Sequence, residues 1–362
     1  MITIKEIAKK ANVSTGTVDR VLHNRPGVSE KTKIKIQKLL KEHNFKKNSI
    51  ASVLAMRKKY KIAILMPNHD HRNLFWKSPL LGMQKASEEV LNYGVLSTFF
   101  LYNQFNADSF LTQANKIIEE KFDAVILVPI FSKQTSFFVD NLESLCIPYL
   151  FLNLDLEGFK NISFIGPDAF KSGLLAGKLM HLCTNTPHNI LTVHSNLKDH
   201  NHYVITKRIE GFEAFFRSNK LDYKSLNINL ESLDNPEEIY QKINVFLENN
   251  PSVNGIFVPS SRIGIIAKEI NPQSISALKL IGFDTTKQNL EGLNNESISF
   301  LISQNSYHQG YEAIHILTKY LAQKIKPNQK KYSKLEIVTK ENIDFNERYI
   351  VSLNNETEAL EG

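Results

Sequence analysis

Residues 3–22 read TIKEIAKKANVSTGTVDRVL, and the spacing inside this stretch decides what the N-terminus builds. Thr3 and Glu6 stand at the interval where a capping hydroxyl and a reciprocal carboxylate close the first turn of a helix. Ile4, Ile7, Ala8 and Ala11 then recur on one helical face. Asn12-Val13-Ser14 breaks the period, and Ser14 suits the cap of a second helix whose Val18, Val21 and Leu22 point inward. Two short helices joined by a tight turn form a helix-turn-helix layout. In that layout the second helix enters a DNA major groove, which puts Thr15, Gly16, Thr17, Asp19 and Arg20 nearest the bases and phosphates. The planar fork of Arg20 matches the O6 and N7 acceptors of guanine. A phosphate contact or a salt bridge to a neighbouring acid competes for the same side chain.

Working outward, Arg25-Pro26-Gly27 punctuates the chain, and Ser29 with Glu30 opens a third helix packed through Ile34, Ile36, Leu39 and Leu40. Charge is concentrated here. Residues 1–60 hold fifteen Lys and Arg against four acids, a net +11, so the other 302 residues carry −4 of the total +7. A basic head on a mildly acidic body is the footprint of a chain that neutralises phosphates at one end. The 362 residues exceed one typical domain, and 42% hydrophobic content supplies a sizeable core. No stretch reaches the roughly 18 apolar residues of a membrane span, and the start has no long apolar run, so a cytoplasmic protein without a membrane partner is expected. Cys146 and Cys183 are far apart, which predicts buried, reduced thiols rather than a disulfide or structural zinc.

From Met1 to Phe45 the chain resembles, without gaps, the DNA-binding head of the lactose-repressor (LacI/GalR) family. The residues carrying the likeness are TIKEIAKKANVSTGTVDRVL and then VSEKTKIKIQKLLKEHNF. The resemblance implies that Thr15 and Gly16 are the readout pair opening the recognition helix and that Arg20 touches a base. Gly16 departs from the larger residues usual there and offers no side-chain contact. NSIASVLAMRKK is similar to the family's hinge helix. There Leu54 takes the place of the leucine that wedges into the minor groove, a move that costs unstacking and bends the DNA. Asn48 and Ala51 fit the hinge pattern, Ser52 departs from it, and ordinary linker packing is the alternative for Leu54. The implied domains are a head over 1–46, a hinge over 47–60, a body over 61–350 and a tail over 351–362.

After the basic hinge, YKIAILMPN begins a series of strand-length apolar runs: AVILVPI, IPYLFLNL, NILTVHS, GIFVPS, LKLIGFD and ISFLISQ. Amphipathic stretches such as ADSFLTQANKIIEEK separate most of them. The alternation predicts doubly wound parallel sheets with helices on both faces and a ligand at the strands' carboxyl ends. The region resembles the periplasmic-binding-protein-like fold, of the ribose-binding-protein type, most strongly at KRIEGFEAF, IGFDTT and ISQNSYHQGYEAI. That likeness implies two lobes, 61–166 with 305–331 and 167–304 with 332–350, and an effector between them.

Residue by residue, the resemblance places Phe75 and Trp76 where aromatics stack on a sugar, with Asn73 on the same loop. Arg208 takes the place of a donor to sugar hydroxyls, Asp284 of an acceptor, and Gln304 of a hinge amide that does both. Core packing for Trp76, a surface ion pair for Arg208, a helix cap for Asp284 and hinge bonding for Gln304 remain as alternatives. Asn153-Leu154, with Asp155 next, and Ser260-Ser261 beside Arg262 depart from the receptors' usual residues, so the hydroxyl pattern or the ligand class differs. His69, Asp70 and His71, and His200-Asn201-His202, are read as polar contact loops rather than a metal site, for nothing fixes four ligands.

The expectation is a DNA-binding regulator, a repressor, that needs no cofactor. Its partners would be a pseudo-palindromic double-stranded operator, a carbohydrate effector and a second copy of the chain, as a homodimer or a tetramer built from it. A transport receptor or an enzyme acting on a sugar is the alternative. No catalytic residue is assigned, since dinucleotide, Walker and nucleophile-elbow motifs are missing.

Overall fold

Apolar runs become strands here because residues buried on both faces suit a sheet covered by helices on either side. The structure is a computed structural model and describes residues 4–22, 26–42, 59–70, 74–195, 202–231 and 235–343. The chain divides into two units, Met1–Arg57 and Lys58–Gly362.

The first unit contains α1 (Ile4–Ala11), α2 (Thr15–Leu22) and α3 (Glu30–Glu42). Ile7, Ala8, Ala11, Val18, Val21 and Ile36 are buried together, with Val13, Leu22, Val28, Leu39 and Leu40 packed against them. One device opens both later helices. Ser14 Oγ accepts from the Thr17 amide at 3.1 Å and meets Thr17 Oγ1 at 2.9 Å. Ser29 does the same with Thr32, at 3.3 and 2.8 Å. Lys35 Nζ donates to the Ala11 carbonyl at 3.0 Å, a cation placed on the free carbonyls that end α1. Ile34, expected in the core, is instead 59% exposed. It precedes Ile36 by two residues, about 200° around the helix, and so faces away from it. Thr3 lies outside the described residues.

The second unit opens with β1 (Tyr60–Pro67), which takes in Tyr60, a residue the sequence reading leaves in the hinge. A 3-10 turn at Leu74–Trp76 follows, then α4 (Lys77–Leu91), β2 (Val95–Tyr102), α5 (Ala107–Glu120), β3 (Ala124–Leu127), α6 (Ser132–Ser144), β4 (Tyr149–Leu152) and β5 (Ser163–Gly166). The chain then builds α7 (Ala169–Cys183), β6 (His188–Ser195), α8 (His202–Ser218), β7 (Tyr223–Leu230), α9 (Pro236–Asn249) and β8 (Gly255–Phe257). Next come α10 (Ile263–Lys268), α11 (Pro272–Ile275), β9 (Lys279–Phe283), α12 (Lys287–Asn294), β10 (Phe300–Ser303), α13 (Ser306–Gln323), β11 (Lys330–Tyr332) and β12 (Glu336–Val338).

Two six-stranded sheets result, ordered β11-β5-β4-β3-β1-β2 and β12-β10-β9-β8-β6-β7. All pairs are parallel except β12, which runs antiparallel to β10 and so departs from the all-parallel expectation. The chain crosses between the lobes after β5, after β10 and between β11 and β12. Tyr332 thereby joins lobe one, one residue beyond the expected boundary. Each lobe seats one helix pair on glycines. A Cβ at Gly82 of α4 would stand 2.0 Å from Tyr307 O of α13, and one at Gly211 of α8 would stand 2.0 Å from Phe170 O of α7. Cys146, expected buried, is exposed, in a left-handed turn (φ 55°) just after α6. Among the described residues no helix is long and apolar enough to cross a membrane.

Candidate functional site

On α2, Val18 and Val21 face the core of the head, which leaves Thr15, Gly16 and Arg20 exposed on the other side. Thr17 is half-buried, its hydroxyl occupied by Ser14. A Cβ at Gly27 (φ +96°) would lie 3.4 Å from Arg20 Nη1, so the guanidinium rests against the backbone of the turn after α2. Asn48, Ala51, Ser52 and Leu54 lie outside the described residues.

In the body, three of the sequence-selected side chains converge at the carboxyl ends of the lobe-two strands. Asp284 follows β9 in a left-handed conformation (φ 69°) and is 5% exposed. Gln304, directly after β10, donates through Nε2 to both carboxylate oxygens, at 2.8 and 2.9 Å. Arg208 reaches in from α8, its guanidinium 3.8 Å from the centre of the Phe283 ring and its Nη1 donating to Pro259 O at 2.8 Å. Burial pushes the Asp284 carboxyl up to about 6, against the pull of the Arg208 charge and the Gln304 bond. Burial likewise brings Arg208 down to about 10, with Asp284 opposing. Two polar atoms of the cluster stay unmet: Arg208 Nε, a donor, and Gln304 Oε1, an acceptor.

The competing readings of Arg208 and Asp284 fare poorly, whereas hinge bonding at Gln304 is present, its carbonyl accepting from Gln309 Nε2. Arg208 is 4% exposed, not a surface residue. Asp284 caps no helix, because α12 starts at Lys287 behind Thr286. Ser260 lies on the loop that receives the Arg208 bond, and its Oγ accepts from the Arg262 amide at 3.4 Å. That loop is buckled to β9 by Asn289, whose Nδ2 donates to the Ser261, Phe283 and Asp284 carbonyls at 2.9–3.0 Å while Oδ1 accepts from the Gly264 amide.

Lobe one places its candidates differently. Phe75 and Trp76 are 8% and 3% exposed, packed edge to face at 4.8 Å, and the Trp76 indole donates to Gln104 Oε1 at 3.1 Å. Asp155 is engaged by Lys330 at 2.6 Å, an ion pair between the β4 loop and β11. Asn153 (φ 68°) donates through Nδ2 to Gln309 Oε1 at 3.2 Å. Gln309 Nε2 in turn donates to Gln304 O at 2.9 Å and Ser333 Oγ at 3.2 Å. This one buried amide therefore ties the crossing after β10, at Gln304, to the crossing between β11 and β12, at Ser333, and to Asn153 after β4. Sequence reasoning missed Gln309 and Asn289. The available signal for Gln309 is a polar residue on the face of α13 that also carries buried Gly310, Ala313, Ile314 and Leu317.

His69 is exposed, its imidazole kept below the usual range by partial burial and by Lys77. Asn73, His71, His200 and Asn201 lie outside the described residues, and the His202 side chain is not described. Among the described residues no three His, Cys, Asp or Glu side chains are placed to hold a metal ion.

Comparison with known proteins agrees with this layout. Residues 62–325 match the family described as periplasmic binding protein domain, and residues 3–48 match that described as bacterial regulatory proteins, lacI family. Catabolite control protein A of Priestia megaterium is 23% identical over 325 residues, spanning 88% of this chain and 92% of that protein. The sucrose operon repressor of Streptococcus mutans is 25% identical over 289 residues, 78% of this chain and 82% of its own. The crystal structure of a putative LacI transcriptional regulator from Bacteroides fragilis superposes with a TM-score of 0.74 at 25% identity, covering 80% of this chain and 99% of that one. The chain thus belongs to the periplasmic-binding-protein domain family through its body and to the lacI family of bacterial regulatory proteins through its head, and it is a DNA-binding transcription regulator.

Proposed function

We propose that the protein is a cytoplasmic repressor whose hold on its operator is set by a carbohydrate bound between the lobes of its body. The observation that carries the effector is the Arg208–Asp284–Gln304 cluster. A buried donor and a buried acceptor are left unmet at the strands' carboxyl ends, where open α/β sheets take their ligands. A sugar hydroxyl both donates and accepts, and so meets both needs. The sucrose operon repressor among the relatives supports a sugar of some kind.

On DNA, Arg20 takes a guanine edge or a phosphate, Thr15 and Thr17 sit at the groove, Gly16 contributes backbone alone, and Leu54 wedges the minor groove. Asn48 and Ala51 accompany Leu54 in the hinge. A homodimer matches a pseudo-palindromic operator. Ligand controls the head by binding one lobe arrangement better than the other, and shifts the equilibrium only by that difference in affinity. In a mobility-shift titration with duplex from the protein's own promoter region, at physiological salt, preference over random DNA is expected. Arg20→Ala should reduce that preference by about tenfold or more where Arg20 reads a guanine edge, and should weaken both duplexes alike where it holds a phosphate. Equal affinity for both duplexes would overturn the reading.

A further inference from the structure

A buried guanidinium costs free energy unless an anion stands against it. Arg208 has two neutral compensations: the Pro259 carbonyl takes Nη1, and the Phe283 ring lies under the ion. It forms no ion pair among the described residues. The carboxylate whose field reaches it, Asp284, makes no ion pair with it, has both oxygens held by the Gln304 amide and is itself raised to about 6 by burial, so its compensation acts at a distance and is lost as pH falls below about 6. What is left is Nε, buried and donating to nothing.

Nε is half of a guanidinium edge whose two parallel N–H groups match the spacing of two oxygens on one carboxylate or phosphate. A neutral sugar satisfies the hydrogen bond and leaves the charge alone. An anionic group satisfies both. Gln304 Oε1, the other unmet atom, calls for a donor, which a hydroxyl on the same ligand supplies.

We propose that the effector is a carbohydrate carrying an anionic group, a carboxylate or a phosphate, which docks on the Nε edge of Arg208 while a hydroxyl donates to Gln304 Oε1. This rests on the effector-controlled reading above and narrows its ligand class.

The test uses the full chain and matched sets at equal ionic strength: D-glucose, D-glucuronate and D-glucose 6-phosphate; D-galactose, D-galacturonate and D-galactose 6-phosphate; D-ribose and D-ribose 5-phosphate. Melting temperature is read first and Kd by calorimetry for each hit. At least one charged member should raise Tm where its neutral parent does not, and whether the hits are acids or phosphates names the anion. Arg208→Met should abolish the shift and, without ligand, melt no lower than the parent. Arg208→Lys keeps the charge without the fork and should weaken Kd by about tenfold or more. A neutral sugar that shifts Tm as much as its charged form overturns the anionic inference and leaves a carbohydrate effector standing. No shift with any sugar overturns both. A ligand-free Arg208→Met protein that melts well below the parent means the charge is already compensated inside the lobe, and that too overturns the inference.

Discussion

At the carboxyl ends of the lobe-one strands, Phe75, Trp76, Ile130, Phe131 and Leu154 are buried, and the one indole donor is satisfied by Gln104. At the corresponding end of lobe two, Arg208, Asp284 and Gln304 are just as deeply buried, yet a donor and an acceptor remain unmet. The lobes share the pattern of sheet order and the same glycine-seated helix pair, so architecture does not dictate this difference. Apolar burial stabilises a lobe by itself, whereas an unmet buried polar pair costs free energy until a ligand arrives. On the proposed function, lobe one supplies shape and lobe two the chemistry that selects.

Several substitutions break or sharpen that contrast. The largest effects should be equal in the two lobes: Gly82→Ala and Gly211→Ala each push a Cβ to 2.0 Å from a backbone carbonyl, and each should lose about 5 kcal/mol in urea titrations. A much milder loss in one would mean its helices can part. Trp76→Ala should cost about 3–5 kcal/mol through lost aromatic packing, whereas Arg208→Met should stay within about 1 kcal/mol of the parent.

Next comes pH. Because Asp284 is raised from 3.8 to about 6 in the folded body, its contribution favours folding fully below about pH 4 and is lost as pH rises through about 6. The loss amounts to about 3 kcal/mol. Asp284→Asn should flatten that part of the stability profile, measured as urea midpoints between pH 4 and 7; an unchanged slope would show the carboxyl is not raised. Gln309→Ala should cost about 2 kcal/mol by unpairing Asn153, Gln304 O and Ser333. A larger loss of ligand affinity than of stability would place Gln309 in the site itself.

How much of this was legible in the sequence follows burial. β1, β3, β4, β6, β8, β9 and β10 sit inside the sheets and read as continuous apolar runs. The edge strands β2 and β7, VLSTFFLY and YKSLNINL, mix exposed and buried positions and lose that signal. β5, SFIG, is fully buried but only four residues long, and β11 and β12 are three residues each and largely exposed. In the head, the alternation of Ile7, Val18 and Ile36 with exposed lysines declares the core, while Ile34 shows that an apolar residue off the helical period does not join it. In the cleft, Arg208, Asp284 and Gln304 were reachable because a family pattern singles them out. Gln309 and Asn289 were not, since Gln309 also bonds Asn153 and Ser333, and Asn289 also bonds Ser261 and Gly264, all distant in the chain, a relation no local spacing encodes.

Fluorescence anisotropy of a labelled promoter duplex puts the central claim to its most direct trial. The full chain and its Arg208→Met variant are titrated with and without the sugar acid or sugar phosphate that raises Tm. The parent's Kd for DNA should change by about tenfold or more with ligand, and the variant's should not move while its ligand-free DNA affinity matches the parent's. Identical DNA affinity of the parent with and without that ligand would contradict the account.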